Sequence, residues 1–307
     1  MTKVLVATDK PFAPVAVKGI RKVVEEAGYE LVLLEGYTNQ DDFINAIADA
    51  DAVIVRSDKT DKAVIDAGNN LKIVIRAGAG YDNIDLAAAS AKGVCVMNTP
   101  GQNSNAVAEL AAGMMVYFVR NFFNGKSGTE LLGKSLGIHA YGYVGKNVAR
   151  IAKGFGMDIY AYDPFIPKEE IEKDGVKWVG SAEELYSKCN FISLHIPANS
   201  QTKLSINYSL LSLMPVPACL VNTARAEVIN ENDLLRIFEE RKDFSYLSDV
   251  ESTNKADLEV KFKGRFFFTP KKMGAQTEEA NINAGIAAAR QIVNFLKNGD
   301  KTFQVNK

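Results

Sequence analysis

Few residues in this chain can move a proton near neutral pH, and where they stand narrows the chemistry. There are two histidines, His139 and His195, against 36 lysines and arginines and 37 aspartates and glutamates. Near the C-terminus, TPKKMGAQTEEA (269–280) runs from a strand end into a Gly-containing turn, with Lys271 and Lys272 at the corner. Two adjacent lysines there are either a solvated loop tip or include a proton carrier. Further back, VNTARAEVINENDLL (221–235) sets Arg225 just after a strand and ahead of a helix whose start is marked by Asn230 and Asn232. A planar guanidinium in that place suits a carboxylate, which it can hold through two parallel hydrogen bonds. RAGAGYDN (76–83) adds a Gly-rich turn whose N–H groups at Gly78, Ala79 and Gly80 can form a nest for the same carboxylate. Arg56 and Ser57 of VRS, with Arg76 and Lys59, are candidate contacts to a charged substrate tail.

The most informative stretch is LGIHAYGYVGKNVARIAKGFGMDIYAYDP (136–164). A strand runs into Ala140-x-Gly142-x-x-Gly145, a helix follows, and a second strand ends in Asp163. Gly142 lets the backbone approach a pyrophosphate, and Gly145 lets the helix pack close to the sheet. N–H groups at Tyr143 and Val144 can hold phosphate oxygens at the helix start. Asp163 can accept hydrogen bonds from a ribose diol, and its charge repels a 2′-phosphate, so NAD is expected over NADP. Ala140 stands where the pattern usually has its first glycine, which is tolerable if that residue keeps a negative φ. His139, inside the strand end, reads as a packed residue.

The elements that must position these groups repeat a simple theme. KVLVAT (3–8), LVLLEG (31–36), AVIVRS (52–57), KIVIRA (72–77) and VCVMN (94–98) are short, Val- and Ile-rich strands alternating with amphipathic stretches such as 16–27 and 61–67. A long helix over 105–123 leads to a second series at 135–140, 158–163, 191–196, 219–224, 244–249 and 265–270, and a last helix spans 278–297. Repeated β–α units imply parallel sheets with helices on both faces, here two α/β lobes joined at an Asn98–Pro100 hinge, with a ligand cleft at the strand ends. Near-neutral charge argues against nucleic acid as a partner, and the longest apolar runs are too short to span a bilayer. With no signal peptide expected and three scattered cysteines (Cys95, Cys189, Cys219), the chain reads as cytoplasmic, with buried thiols and no metal site.

VRSDKT, RAGAGYDNIDL, VMNTPGQNSNAVAELA, the dinucleotide turn, NTAR, DVE and TPKKMGAQTEEA, in this order along nearly the whole chain, resemble the D-2-hydroxyacid dehydrogenases. The likeness is greatest to the D-3-phosphoglycerate dehydrogenases, in the short form without a regulatory domain. It implies a flavodoxin-like substrate domain from both chain ends (1–98 plus 276–307) and a central Rossmann NAD domain (99–275), assembled as a homodimer through the helix after Asn105. It also implies cofactor contacts from His195, Pro197, Thr223 and Asp249. Members usually carry a catalytic arginine, glutamate and histidine. Arg225 matches the first; the other two positions fall on Asn254 and Lys272, with Lys271 as one extra residue.

Both departures can be one adaptation. A histidine needs a carboxylate to fix its tautomer and raise its pKa. A lysine has no tautomer to fix, and it starts from a pKa of about 10.4, so an uncharged Asn254, a nearby Arg225 and partial desolvation would push it the useful way. The resemblance thus implies NAD-dependent oxidation of 3-phospho-D-glycerate to 3-phosphohydroxypyruvate, the entry to serine synthesis, without serine feedback through an added domain. The same scaffold serves glyoxylate, hydroxypyruvate, lactate and erythronate-4-phosphate chemistry, and NAD(H)-sensing corepressors that need no catalysis.

Overall fold

The computed structural model describes residues 1–306. The chain divides into two compact units, Met1–Asn103 together with the chain from Gln276 on, and Ser104–Ala275.

In the first unit β1 (Lys3–Thr8), β2 (Glu30–Glu35), β3 (Ala52–Val55), β4 (Ile73–Arg76) and β5 (Cys95–Asn98) form one parallel sheet in the order β2-β1-β3-β4-β5. That is the flavodoxin-like order. Successive strand residues point to opposite faces, and both faces are covered, so the strands are apolar throughout. Val4, Val6 and Ile54 pack on the side of helices Pro14–Glu26 and Glu278–Asn298, while Leu5, Ala7 and Val53 pack with Phe43, Ile47 and Val64 on the other. The edge of β5 is covered by the last residues of the chain: Val305 N–H donates to Val96 O, and the Asn306 side chain accepts from Val96 N–H (2.7 Å).

In the second unit β6 (Ser135–His139), β7 (Asp158–Tyr162), β8 (Lys177–Trp178), β9 (Phe191–Leu194), β10 (Ala218–Asn222), β11 (Phe244–Ser248) and β12 (Phe266–Phe268) form a parallel sheet in the order β12-β11-β10-β9-β6-β7-β8. This is the doubly wound dinucleotide-binding order with one strand added at the β12 edge. The two-residue β8 has too little apolar pattern to be read from sequence. The strand order reverses direction between β6 and β9, which puts a crevice at their carboxyl ends.

The first long helix of this unit is shorter than its apolar pattern predicts. It spans Ser104–Val119, and Asn121, Phe122 and Phe123 then take left-handed φ values of 51°, 53° and 53°. The chain turns back there because Thr129 N–H caps Val119 O (2.7 Å), and Gly128 lies so close to that carbonyl that a Cβ would sit 2.2 Å from it. Tyr117, Phe122 and Phe267 pack edge-on around the turn and hold it. All three cysteines are buried and unpaired, and among the described residues no helix is long and apolar enough to cross a membrane.

Candidate active site

The turn after β6 is built as a cradle. Gly142 is the N-cap of helix Tyr143–Gly154 and has no side chain to satisfy the first-turn N–H groups of Tyr143, Val144 and Gly145. Its own φ of −75° suits any residue, and a Cβ added there would meet nothing within 4 Å. Neither backbone strain nor packing therefore demands glycine at 142, and an open approach for a ligand is the remaining reason. Gly145 is different: a Cβ there would lie 2.4 Å from Ala140 O and 3.0 Å from Ile138 Cγ2, so close helix–strand packing excludes it.

Ala140 departs from expectation. Its φ is +79°, not negative, so the turn keeps the left-handed geometry of a glycine although the residue has a Cβ. Such strain costs about 1–2 kcal/mol. It is held by Ala140 N–H donating to Tyr162 O and Tyr141 N–H donating to Asp163 Oδ2 (2.8 Å). The other Asp163 oxygen accepts from Phe165 N–H (2.8 Å). Two backbone donors thus aim the carboxylate, and each oxygen retains a lone pair for a diol.

At the ends of β9, β10 and β11 lie the other groups. His195 Nε2 pairs with Ser193 Oγ (2.9 Å) and its backbone N–H donates to His139 O, so two histidines stand on neighbouring strands. Burial, with the neighbouring His139, pushes the His195 pKa down to about 3, and burial pushes that of His139 down to about 4. Both are neutral at physiological pH and neither suits proton transfer there. Pro197 is exposed, its carbonyl accepting from Thr202 Oγ1 (2.5 Å). Thr223 Oγ1 and Asp249 Oδ1 are buried polar atoms with no hydrogen-bond partner among the described residues. Such atoms are costly unless something pairs them, so they point to a polar ligand. Together with the open cradle at Gly142, they fit a dinucleotide.

Arg225 and Lys272, 47 residues apart in sequence, converge on one atom. Arg225 Nη1 donates to Ala224 O at 2.9 Å and Lys272 Nζ donates to the same oxygen at 3.2 Å, so the two cationic groups lie within about 6 Å of each other. The loop that carries Lys272 is tied down separately, since Asp249 Oδ2 accepts from Met273 N–H (3.3 Å) and Gly274 N–H (2.7 Å). Lys271 and Lys272 are both exposed, so the desolvation expected to lower the lysine pKa is not provided by burial; the Lys271 backbone carbonyl accepts from Thr269 Oγ1 (2.6 Å). Asn254 works locally, its amide donating to Glu231 O (3.0 Å) and its backbone opening helix Lys255–Lys261.

In the first unit the Gly-rich turn is tighter than a free nest. Gly78 N–H donates back to Arg76 O (2.9 Å), which takes it from the three amides expected to face a carboxylate. Gly78 has φ +149°, and a Cβ there would lie 1.4 Å from Arg76 Nη1, so the guanidinium packs against bare backbone. Arg76 Nε donates to Arg56 O (3.1 Å). The Arg56 guanidinium reaches Lys10 O (2.8 Å), Pro11 O (3.2 Å) and Asn281 Oδ1 (2.7 Å) and sits over the Phe12 ring. It ties the 10–12 segment to the last helix, a structural role that its place at a strand end does not reveal. Lys59 pairs with Asp61 (2.9 Å), and Ser57 is exposed.

Sequence reasoning missed Asn222. The signal was in NTAR: an asparagine two residues before a turn amide commonly accepts from it, and Asn222 Oδ1 does accept from Ala224 N–H (2.9 Å).

Known proteins resemble this chain over most of its length. Residues 106–270 match the family model described as D-isomer specific 2-hydroxyacid dehydrogenase, NAD binding domain. The chain is 38% identical over 291 residues to a D-3-phosphoglycerate dehydrogenase of Methanocaldococcus jannaschii, covering 90% of this chain and 55% of that one. It is 35% identical over 285 residues to a hydroxypyruvate reductase of Thermotoga maritima, covering 87% and 92%. It spans about half the length of the curated phosphoglycerate dehydrogenases it matches. Among solved structures, an NAD+-bound 3-phosphoglycerate dehydrogenase of Entamoeba histolytica superposes with a TM-score of 0.88 at 52% identity, over 100% of this chain and 99% of that one.

Proposed function

Because the chain belongs to the D-isomer-specific 2-hydroxyacid dehydrogenases, we propose that it oxidises 3-phospho-D-glycerate to 3-phosphohydroxypyruvate with NAD. The N–H groups of Tyr143, Val144 and Gly145 would hold the pyrophosphate, Asp163 the ribose diol, and His195, Pro197, Thr223 and Asp249 the nicotinamide end. Bound there, NAD supplies a hydride acceptor for C2 of the substrate. Arg225 holds the substrate carboxylate by paired hydrogen bonds. Lys272 takes the C2 hydroxyl proton in oxidation and returns it in reduction.

The shared Ala224 carbonyl carries this reading. It holds the Lys272 amine beside the Arg225 guanidinium, so a proton carrier and a carboxylate anchor stand side by side. Neutral His139 and His195 leave no competing proton carrier at the neighbouring strand ends. Arg56, Ser57, Arg76 and the Ala79 and Gly80 amides of the first unit are the proposed substrate contacts, with Gly78 contributing conformation. A homodimer and a cytoplasmic location belong to the same proposal.

A second reading has its own support. The Thermotoga relative, matched over 92% of its length, is a hydroxypyruvate reductase, and the Arg56 guanidinium is already engaged internally. An unphosphorylated 2-hydroxy acid would then be the substrate. Steady-state kcat/KM with NAD across phosphorylated and plain 2-hydroxy acids at several pH values separates the two. On the better substrate, Lys272→Ala should lower turnover by about 10²-fold or more, as loss of a positioned acid–base group does, and Arg225→Ala by about as much through lost substrate positioning. Near-parental turnover of Lys272→Ala beside a dead Arg225→Ala would remove the lysine from the mechanism.

A further inference from the structure

We propose that Asn222 is the positioning residue that sets Arg225 and Lys272 in place through the carbonyl of Ala224; this rests on the reaction proposed above. Asn222 ends β10 and is fully buried. Its side chain closes the turn from both ends: Oδ1 accepts from Ala224 N–H (2.9 Å), and Nδ2 donates to Arg225 O (3.0 Å) and to Tyr246 Oη (3.2 Å). Its backbone carbonyl accepts from Ser248 Oγ (2.8 Å) and Asp249 N–H (3.2 Å), which locks the turn to the neighbouring strand end.

The peptide between Ala224 and Arg225 thus lies between two peptide groups that Asn222 holds. The oxygen of that peptide receives Arg225 Nη1 and Lys272 Nζ. One buried amide therefore fixes the acceptor that gathers both cations. Pinning both sides requires an acceptor and a donor on one short planar group. Aspartate lacks the donor when ionised, and a larger or apolar side chain lacks the reach or the polarity.

Two variants of the full chain test this, with NAD and the best substrate of the panel. In Asn222→Asp the ionised carboxylate opposes the Arg225 carbonyl, and a misplacement of roughly 1 Å at a reacting group can cost about 10²-fold. We expect kcat to fall at least tenfold at pH 8 while KM for NAD, whose proposed phosphate and ribose contacts lie at the turn after β6 and at Asp163, changes by less than threefold. A protonated aspartic acid has one acceptor and one O–H donor, like asparagine. The variant-to-parent ratio of kcat should therefore rise at least fivefold as pH falls to about 5.5, toward the titration of a buried acid. Asn222→Ala should show the same loss without the recovery.

A folded variant of either kind with kcat within twofold of the parent at every pH overturns the proposal. So does a loss shared equally by kcat and NAD affinity with a flat pH ratio, which marks a merely structural residue. Failure of both variants to fold also counts against it. Parental activity on the panel and the Lys272→Ala result judge the underlying reaction separately.

Discussion

Gly142 and Gly145 stand three residues apart and should fail for opposite reasons. At Gly142 an added methyl meets no protein atom within 4 Å and φ is −75°. Two small terms oppose each other on substitution by alanine: a gain of about 0.4–1 kcal/mol from a stiffer unfolded chain, and the loss of a better N-cap residue. The unfolding free energy of Gly142→Ala should stay within about 1 kcal/mol of the parent. Its affinity for NAD should fall by tenfold or more, about 1.4 kcal/mol, because the methyl occupies the space left for phosphate.

At Gly145 the methyl lands 2.4 Å from Ala140 O, so the helix must retreat by roughly 0.6 Å or more to restore a 3.0 Å contact. Overpacking of this kind costs about 1–3 kcal/mol, and the second unit is of a size that loses about 2–4 °C of Tm per kcal/mol. Gly145→Ala should therefore melt roughly 2–12 °C lower and also bind NAD more weakly. Calorimetry of unfolding and titration calorimetry with NAD read both effects. Parental NAD affinity in Gly142→Ala would show that this turn is not the phosphate cradle. A parental Tm in Gly145→Ala would show that the helix–strand contact is not the constraint described.

Asn306, nearly buried, accepts from Val96 N–H and donates to Val94 O (2.9 Å) at the edge of β5. Asn306→Ala leaves two buried backbone groups unpartnered and should cost about 2–4 kcal/mol in denaturant unfolding; a loss below about half a kcal/mol would mean the edge is covered some other way. His139 and His195 give a pH signature. Their folded pKa values, about 4 and about 3, lie below the ordinary value of 6.5, so the unfolded chain takes up protons first. Stability is complete above pH 6.5 and is lost as pH falls toward 4 and 3, by about 2 kcal/mol per histidine between pH 6.5 and 5. Urea unfolding of His139→Gln beside the parent at pH 7 and pH 5 isolates one of the two contributions, and equal pH losses in the two proteins would contradict it.

Much of the architecture is legible in the amino-acid sequence. Strands such as 52–55 and 73–76 are short apolar runs between helical patterns, and the turn from β6 to Asp163 is recognisable because all its parts lie within about thirty residues, the span of one βαβ unit. The last helix, expected over 278–297, is Glu278–Asn298, with Thr277 as its cap and a left-handed Gly299 beyond. The end of the helix Ser104–Val119 was not legible, because its apolar run continues into Phe122 and Phe123. It stops where Gly128 and Thr129 fold back onto Val119 O. The internal ties of Arg56 were not legible either, because its partner Asn281 is 225 residues away.

By itself, then, the amino-acid order determined what depends on near neighbours: strand and helix periods, the glycine turn from β6 into its helix, and the lysine pair at 271–272. Only the tertiary structure decided what depends on distant groups meeting. It drew Ala140 into a left-handed φ, turned the Gly78 amide back onto its own loop, and brought Arg225 and Lys272 to one carbonyl fixed by Asn222. The physical reason is the same in each case. A hydrogen bond or a packing contact acts over a few ångströms of space, and separation along the chain does not encode that distance.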